Sequence, residues 1–278
     1  MSAPGAERWK RLAGNRNLQV GLAMLAALLL AGAFGPWLVR WDPIEIDFAT
    51  ALQRPGAAHP FGTDELGRDV LARVLAATFV DLKVVAVCVV LPFFIGSLIG
   101  LASGYYGGWF DRALMRLVDI LLAFPHYVLV IAIVGSLGPG IANLYLAFAL
   151  VVWISFARIV RAEVLVARRA EYAQAARLLG YGHARVMLRH ILPNVITPAI
   201  IFMMSDVVLT ILAVTSLGFL GLGIQPPTPE WGLMIAEGRT FLQDAWWISV
   251  FPGLAIVYVG ITFTVLGEGL DDFLRPKG

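Results

Sequence analysis

Six apolar runs, each long enough to cross a hydrocarbon core, leave this chain few possible folds. They lie at Leu18 to Val39, Val84 to Tyr106, Leu117 to Leu137, Ile141 to Ala157, Val195 to Leu217 and Ile248 to Leu266, and a crossing takes about 20 residues at ~1.5 Å rise each. Backbone polar groups in lipid must be satisfied within the segment, so each run is read as a helix. The predicted architecture is an all-α polytopic membrane protein with six transmembrane helices. Of its 278 residues 59% are hydrophobic and 14% charged, against about 45–50% and about 25% in an ordinary soluble domain. So few charges cannot cover a water-exposed globule of this size, which excludes a soluble enzyme. Balanced charge, 21 basic against 19 acidic residues, argues against a nucleic-acid partner. A single cysteine, Cys88, excludes an intrachain disulfide framework.

Basic residues set the orientation. With the N-terminus inside, cytoplasmic segments hold 15 of the 21 Lys and Arg residues and external segments 6, a strong positive-inside bias. Both termini are therefore expected in the cytoplasm. Residues 1–17 read as a basic tail carrying Arg8, Lys10, Arg11 and Arg16, and 18–39 as the first crossing. That run exceeds the about 7–15 apolar residues of a signal peptide and is read as a retained anchor. An external loop, 40–83, precedes a core of five crossings, 84–270, and a tail, 271–278.

Three connections are more than turns. In the first, Leu71, Val74, Leu75 and Thr78 have amphipathic-helix spacing, which predicts a short helix on the outer face. Asp64 with Arg68 and Asp69 with Arg73 stand at i,i+4 and can pair. The second, 158–193, is too polar to span. In the third, Pro226, Pro227 and Pro229 prevent a continuous helix, while Trp231, Trp246 and Trp247 suit an interfacial belt. Gly138-Pro139-Gly140 is a tight turn. Internal repeats of the kind built into many secondary carriers are not evident.

Catalytic motifs are missing. A phosphate loop ends in Gly-Lys-[Ser/Thr], yet Lys10, Lys83 and Lys277 all lack a preceding glycine, so nucleotide hydrolysis must come from another chain. His59, His126, His183 and His190 are scattered, with no His-Glu-x-x-His or Gly-x-Ser-x-Gly. No catalytic centre, metal site or cofactor of its own is expected.

The 158–193 connection carries the most information. Tyr172, Ala176 and Leu179 fall on one helical face, and Gly180 and Gly182 permit a change of direction before a second short helix through Arg189. Ala173, Ala175, Ala176 and Gly180 would let another backbone approach closely, and the flanking arginines can bind carboxylates. In physical terms this is a docking knob. Spacing alone leaves equally open a basic interfacial helix held by anionic lipid headgroups.

The stretch resembles the cytoplasmic loop of importer permeases in the ATP-binding-cassette superfamily, whose pattern is Glu-Ala-Ala, three residues, Gly, nine residues, Ile-x-Leu-Pro. Here it reads Gln174-Ala175-Ala176, Gly180, then His190-Ile191-Leu192-Pro193, departing at Gln174 and His190. His59-Pro60-Phe61-Gly62-Thr63-Asp64-Glu65-Leu66-Gly67-Arg68-Asp69, Gly104-Tyr105-Tyr106-Gly107-Gly108 with Asp111, and Gly218-Phe219-Leu220-Gly221-Leu222-Gly223 resemble the C-type permease of dipeptide, oligopeptide and nickel importers. Gln225-Pro226-Pro227-Thr228-Pro229-Glu230-Trp231-Gly232 and Phe251-Pro252-Gly253-Leu254 are similar to its peptide-transporting branch. A further departure is Ala77-Thr78-Phe79-Val80-Asp81, where the family usually has Gly-Ala-Arg-x-Ser.

This resemblance implies the type I importer permease fold in a bacterial inner membrane, with a coupling helix in the cytoplasmic loop. It implies a B-type permease partner, two ATPase subunits that bind ATP and magnesium, and an external substrate-binding protein. Glu171, Gln174, Ala175, Ala176, Arg177 and Gly180 would form the coupling surface. The cargo would be dipeptides or short oligopeptides, with nickel, an opine or glutathione as alternatives. A self-sufficient carrier or channel, or an intramembrane enzyme, is the rival class, and the marks of neither are evident.

Asp206, near the middle of the fifth run, should face protein or water, since a central aspartate costs about 2.5–3.5 kcal/mol on insertion scales. It reads first as a packing group bonded to Ser205, Thr210 or a partner, and otherwise, with Ser205, as part of the translocation pathway. Asp119, one turn from Arg116, suggests a local ion pair. His126, after Pro125, reads as a packing residue at a kink.

Overall fold

The computed structural model describes residues 14–274, and it is all-α. Among them the only bridge of strand type is an isolated one between Thr63 and Asp69. Five helices are long and apolar enough to cross a membrane, and a sharply bent pair makes a sixth candidate span. Arg8, Lys10, Arg11, Arg275 and Lys277 lie outside the described residues. By internal contacts, one compact unit comprises the chain up to Ala86, Leu137–Leu144 and the chain from Met204 on; the other comprises Val87–Ser136 and Tyr145–Met203.

In the first unit, α1 (Arg16–Leu38) starts where Asn15 caps it, its side-chain oxygen accepting from the Leu18 amide at 3.0 Å. The same side chain donates to the Gly269 carbonyl at 2.7 Å and so ties α1 to the last helix, α12 (Trp247–Leu274). After Val39 the chain runs through coil and a 3-10 turn at Phe48–Thr50 before α2 (Val70–Tyr106). Asp69 caps that helix by accepting from the Ala72 amide at 2.7 Å. The expected separate surface helix does not exist: Leu71, Val74, Leu75 and Thr78 form the opening turns of a 37-residue helix that continues into the second crossing. Asp81 and Lys83 seem to break the apolar run in sequence, but Asp81 is buried against protein, its Oδ2 accepting from the Trp231 amide at 3.1 Å.

In the second unit, α3 (Gly108–Leu122) and α4 (His126–Leu137) replace the expected single helix 117–137 and meet at 85°. Pro125 lies at the break, where it lacks a backbone donor. Past the Gly138-Pro139-Gly140 turn, α5 (Ile141–Val151) and α6 (Trp153–Ala167) form one span that ends ten residues beyond the expected Ala157. The overrun is stable because Arg161 is neutralised, its Nη2 donating to Asp111 Oδ2 at 2.7 Å while Ser103 also donates to Asp111. Three helices are thereby joined. Gly96, Gly100 and Gly104 form a stripe along α2 pressed on α6, and a Cβ at Gly100 would collide with the backbone of Ala157. Small residues at four-residue spacing admit this approach, as in other membrane helix pairs.

The remaining helices are α7 (Glu171–Leu178), α8 (His183–Arg185), a π-helical stretch at Val186–Ile191, α9 (Leu192–Val195), α10 (Thr197–Phe219) and α11 (Trp231–Gly238). The prolines at 226, 227 and 229 do interrupt the chain between α10 and α11. Of the three tryptophans assigned to an interfacial belt, only Trp246 is exposed. Trp231 and Trp247 are buried, because their indole N–H groups donate to the carbonyls of Val74 (3.2 Å) and Thr63 (3.0 Å). The last helix runs on to Leu274 rather than ending at Leu266, so the expected tail 271–278 begins inside it.

Candidate functional site: the 168–196 hook

Between α6 and α10 the chain builds a bent helical hook. Helix α7 carries Glu171 in its first turn and Arg177 in its last, an arrangement that suits its dipole. It closes in a Schellman motif: the Tyr181 amide donates to the Ala176 carbonyl at 3.3 Å and the Gly180 amide to the Arg177 carbonyl at 2.9 Å. Gly180 sits at φ +77°, where a side chain would be strained. The predicted reversal at this glycine is thus present, and α8 follows at once.

The predicted face is rotated from the observed one. Ala173 and Ala176 (4% exposed) turn into the chain's own interior, while Tyr172 and Leu179 point out. Close packing of small residues is used within this chain, so Ala176 is not open to a partner. The outward row is Glu171, Ala175, Leu178 and Leu179, and the two leucines are 89% and 72% exposed. Gln174, Arg177 and Gly180 are exposed as well.

Tyr105 pins the hook, a role that sequence reading missed. Its hydroxyl meets Arg177 Nε at 3.2 Å and His183 Nδ1 at 2.9 Å, and the Arg177 guanidinium lies 4.8 Å from its ring centroid. Arg168 donates to the Gly104 carbonyl at 2.8 Å, closing the C-terminal end of α2. Arg185 covers the Tyr181 ring at 4.2 Å, and His190 stacks on the same tyrosine. The signal was present as the Gly104-Tyr105-Tyr106 motif, but nothing local in sequence links it to a loop more than sixty residues on. Gln174 has its own account: its Nε2 donates to the Arg169 carbonyl at 2.8 Å, which the family's glutamate, as a carboxylate, could not do.

Asp206 and Ser205 are neighbours on α10 in different surroundings. Asp206 is 8% exposed and its Oδ2 has no hydrogen-bond partner, whereas Ser205 is exposed. The expected packing bond to Ser205 or Thr210 is absent. No ion pair joins Asp119 to Arg116; Asp119 acts electrostatically on Arg161 instead. The His126 Nε2 is enclosed without a partner, so it is not the bonded packing residue expected.

A second charged assembly involves α2 and α11. Arg68 Nε donates to Asp64 Oδ2 at 2.6 Å, as its spacing predicted. Arg73, expected to pair with Asp69, binds Glu237 at 3.0 Å instead, because Asp69 is engaged by His59 (2.9 Å) and by its capping bond. Asp64, Glu65 and Glu237 present oxygens within 4.8 Å of one another. Arg68 and Arg73 already supply positive charge to that group. Burial, with the like charges of Asp64 and Glu237, raises the Glu65 carboxyl above its ordinary value. Deeper in, Glu230 caps α11 with both oxygens, accepting from Gly232 and Leu233 at 2.7 Å each. Its carboxyl hydrogen-bonds to that of Asp81, and burial pushes Glu230 up to about 7.

The spans and the hook between them are those of a polytopic membrane protein. The chain belongs to the binding-protein-dependent transport system inner membrane components, whose family description matches residues 96–277. Residues 3–55 match the N-terminal transmembrane domain of oligopeptide transport permease C. A dipeptide transport system permease protein of Alkalihalophilus pseudofirmus is 40% identical over 99% of this chain and 90% of its own length. A probable D,D-dipeptide transport system permease protein of Escherichia coli K12 is 40% identical over 98% and 92%. A glutathione transport system permease protein of Pectobacterium atrosepticum is 38% identical over 99% and 91%. The chain is a multi-pass inner membrane permease component and not a catalytic subunit.

Proposed function

We propose that this chain forms half of the translocation pathway of an ATP-driven importer for dipeptides or short oligopeptides, and that the hook receives the stroke of a separate ATPase. One observation carries the coupling role: Leu178 and Leu179 stand 89% and 72% exposed at the end of a helix that Ala173 and Ala176 anchor in the chain's own interior. A pair of leucines so exposed at the tip of a polar hook fits a partner's groove. The binding face is Glu171, Ala175, Leu178 and Leu179, flanked by Gln174 and Arg177; Gly180 and Ala176 hold its shape.

The proposed assembly adds a B-type permease, two ATPase subunits that bind ATP and magnesium, and an external binding protein. Both termini and the hook face the cytoplasm. ATP-driven closure must bind one arrangement of the hook better than another, or no shift of the pathway follows. Copurification tests this: ATPase subunits should follow the full chain and be lost when residues 171–180 are replaced by a flexible linker. Retention by that variant would overturn the coupling role. Peptide cargo is supported by relatives named for dipeptide transport, and glutathione is the second reading because another relative is named for it. Uptake of a labelled dipeptide, competed by excess glutathione, separates them: a dipeptide importer is not inhibited.

A further inference from the structure

Beside the hook lies a cavity of about 620 Å³, open to solvent, lined by Tyr105, Tyr106, Arg168, Arg169, Gln174, Arg177 and Leu178. It holds three guanidiniums and no carboxylate. Among the described residues none of the three makes an ion pair; the only acid that Arg161, on the preceding helix, binds is Asp111. Arg168 uses one edge on the carbonyls of Gly104 and Tyr105, and Arg177 uses Nε on the Tyr105 hydroxyl, so both keep donors for a ligand. The guanidinium of Arg169 is exposed and makes no hydrogen bond with the chain. Arg168 already acts on the Asp111 carboxylate, and the remaining positive charge favours an entering anion.

We infer that this cavity binds the phosphate of an anionic phospholipid headgroup. Two observations favour a lipid over a protein carboxylate. The floor is the end of α2, the most apolar span, where Tyr105 and Tyr106 are followed by an exposed Trp109; such aromatics mark the level of the headgroups. An acyl chain could descend from this level beside the exposed Val166 of α6.

The test uses the full chain purified with the subunits that accompany it, and measures phospholipid retained after detergent exchange by native mass spectrometry. Samples are pre-equilibrated in nanodiscs of phosphatidylglycerol or of phosphatidylcholine. Wild type should retain phosphatidylglycerol and not phosphatidylcholine. Arg169→Gln should lower retention roughly fivefold, and Arg169→Gln with Arg177→Gln by roughly a further fivefold, since each basic residue near anionic lipid is worth about a factor of five. Arg158→Gln, an exposed arginine outside the cavity, should retain it as wild type does. Equal retention by the cavity variants and wild type overturns the site, as does equal retention of the two lipids. Displacement by millimolar inorganic phosphate alone would identify a free anion as the ligand and overturn the lipid. Protection of Arg169 from phenylglyoxal by ATPase subunits, in the absence of anionic lipid, would give the cavity to a protein partner and overturn it too. Retention is independent of cargo and of ATP hydrolysis, so failure here leaves the importer reading intact, and failure of that reading leaves this measurement meaningful.

Discussion

The carboxyls of Asp81 and Glu230 meet inside protein at the start of α11, with the free Oδ1 of Asp81 left without any other partner. Two such groups can hydrogen-bond only if one keeps its proton. Burial holds Glu230 up to about 7 against an ordinary 4.5, with the Asp81 hydrogen bond pulling the other way, so the folded state binds a proton on Glu230 more tightly than the unfolded chain does. Stability from that proton is full below the unfolded value and is lost as pH rises through about 7. Thermal unfolding in detergent should therefore show Tm falling from about pH 5 to about pH 8. In Glu230→Gln the titrating proton is gone while the side chain can still accept, so the decline should flatten. An unchanged slope would show that Glu230 does not hold this proton. Asp81 is also where this chain departs from the family's serine, and its partner could not be found locally because it lies some 150 residues away. At the hook tip, Leu178→Glu should leave folding within about 0.5 kcal/mol, since the side chain touches little. Uptake should fall about tenfold or more if the leucine is an anchor for the ATPase. Normal uptake by a normally assembled variant would remove Leu178 from the coupling face.

Among the helices, legibility followed from what each segment must bury. Where a sixth crossing is expected, 117–137, the chain makes a pair of helices bent by 85°, but apolar length found the other five, because lipid permits few other solutions. It misplaced their ends wherever a charge had a distant partner: Arg161 looked like loop until Asp111 accepted its bonds, and Asp81 looked like a break until Trp231 and Glu230 met it. Spacing found the hook and the reversal at Gly180, yet not which face it shows, because alanine suits an internal contact as well as an external one. Tyr105 and Arg168 stayed hidden since a pin across two helices has no periodicity. The glycine stripe of α2 supplies the test at this scale. Gly100→Val would push a branched side chain into the backbone of Ala157, an overpacking cost of about 1–3 kcal/mol or more. The variant should show a lowered Tm and reduced accumulation in the membrane. Gly253→Val, where nothing lies within 4 Å of the added Cβ, should be nearly neutral; equal loss from both would deny the close packing of α2 on α6.

For the chain as a whole, orientation is the quantity on which the proposed mechanism depends, and it can be measured directly. The single cysteine, Cys88, is buried, so a Cys88→Ser background accepts one reporter at a time. Leu178→Cys should react with a membrane-impermeant maleimide only in inverted vesicles, and Arg54→Cys only in intact cells with a permeabilised outer layer. The opposite pattern would invert the topology and remove the hook from the compartment where ATP is made. Attachment matters as much as direction. The hook is fastened to the tail of α2 by a tyrosine hydroxyl shared between Arg177 and His183, and by Arg168 clamped on two carbonyls. If the hook receives the stroke proposed above, a lever bolted at its root has little slack to absorb a push, and loosening one bolt should leave an importer that burns fuel without moving freight.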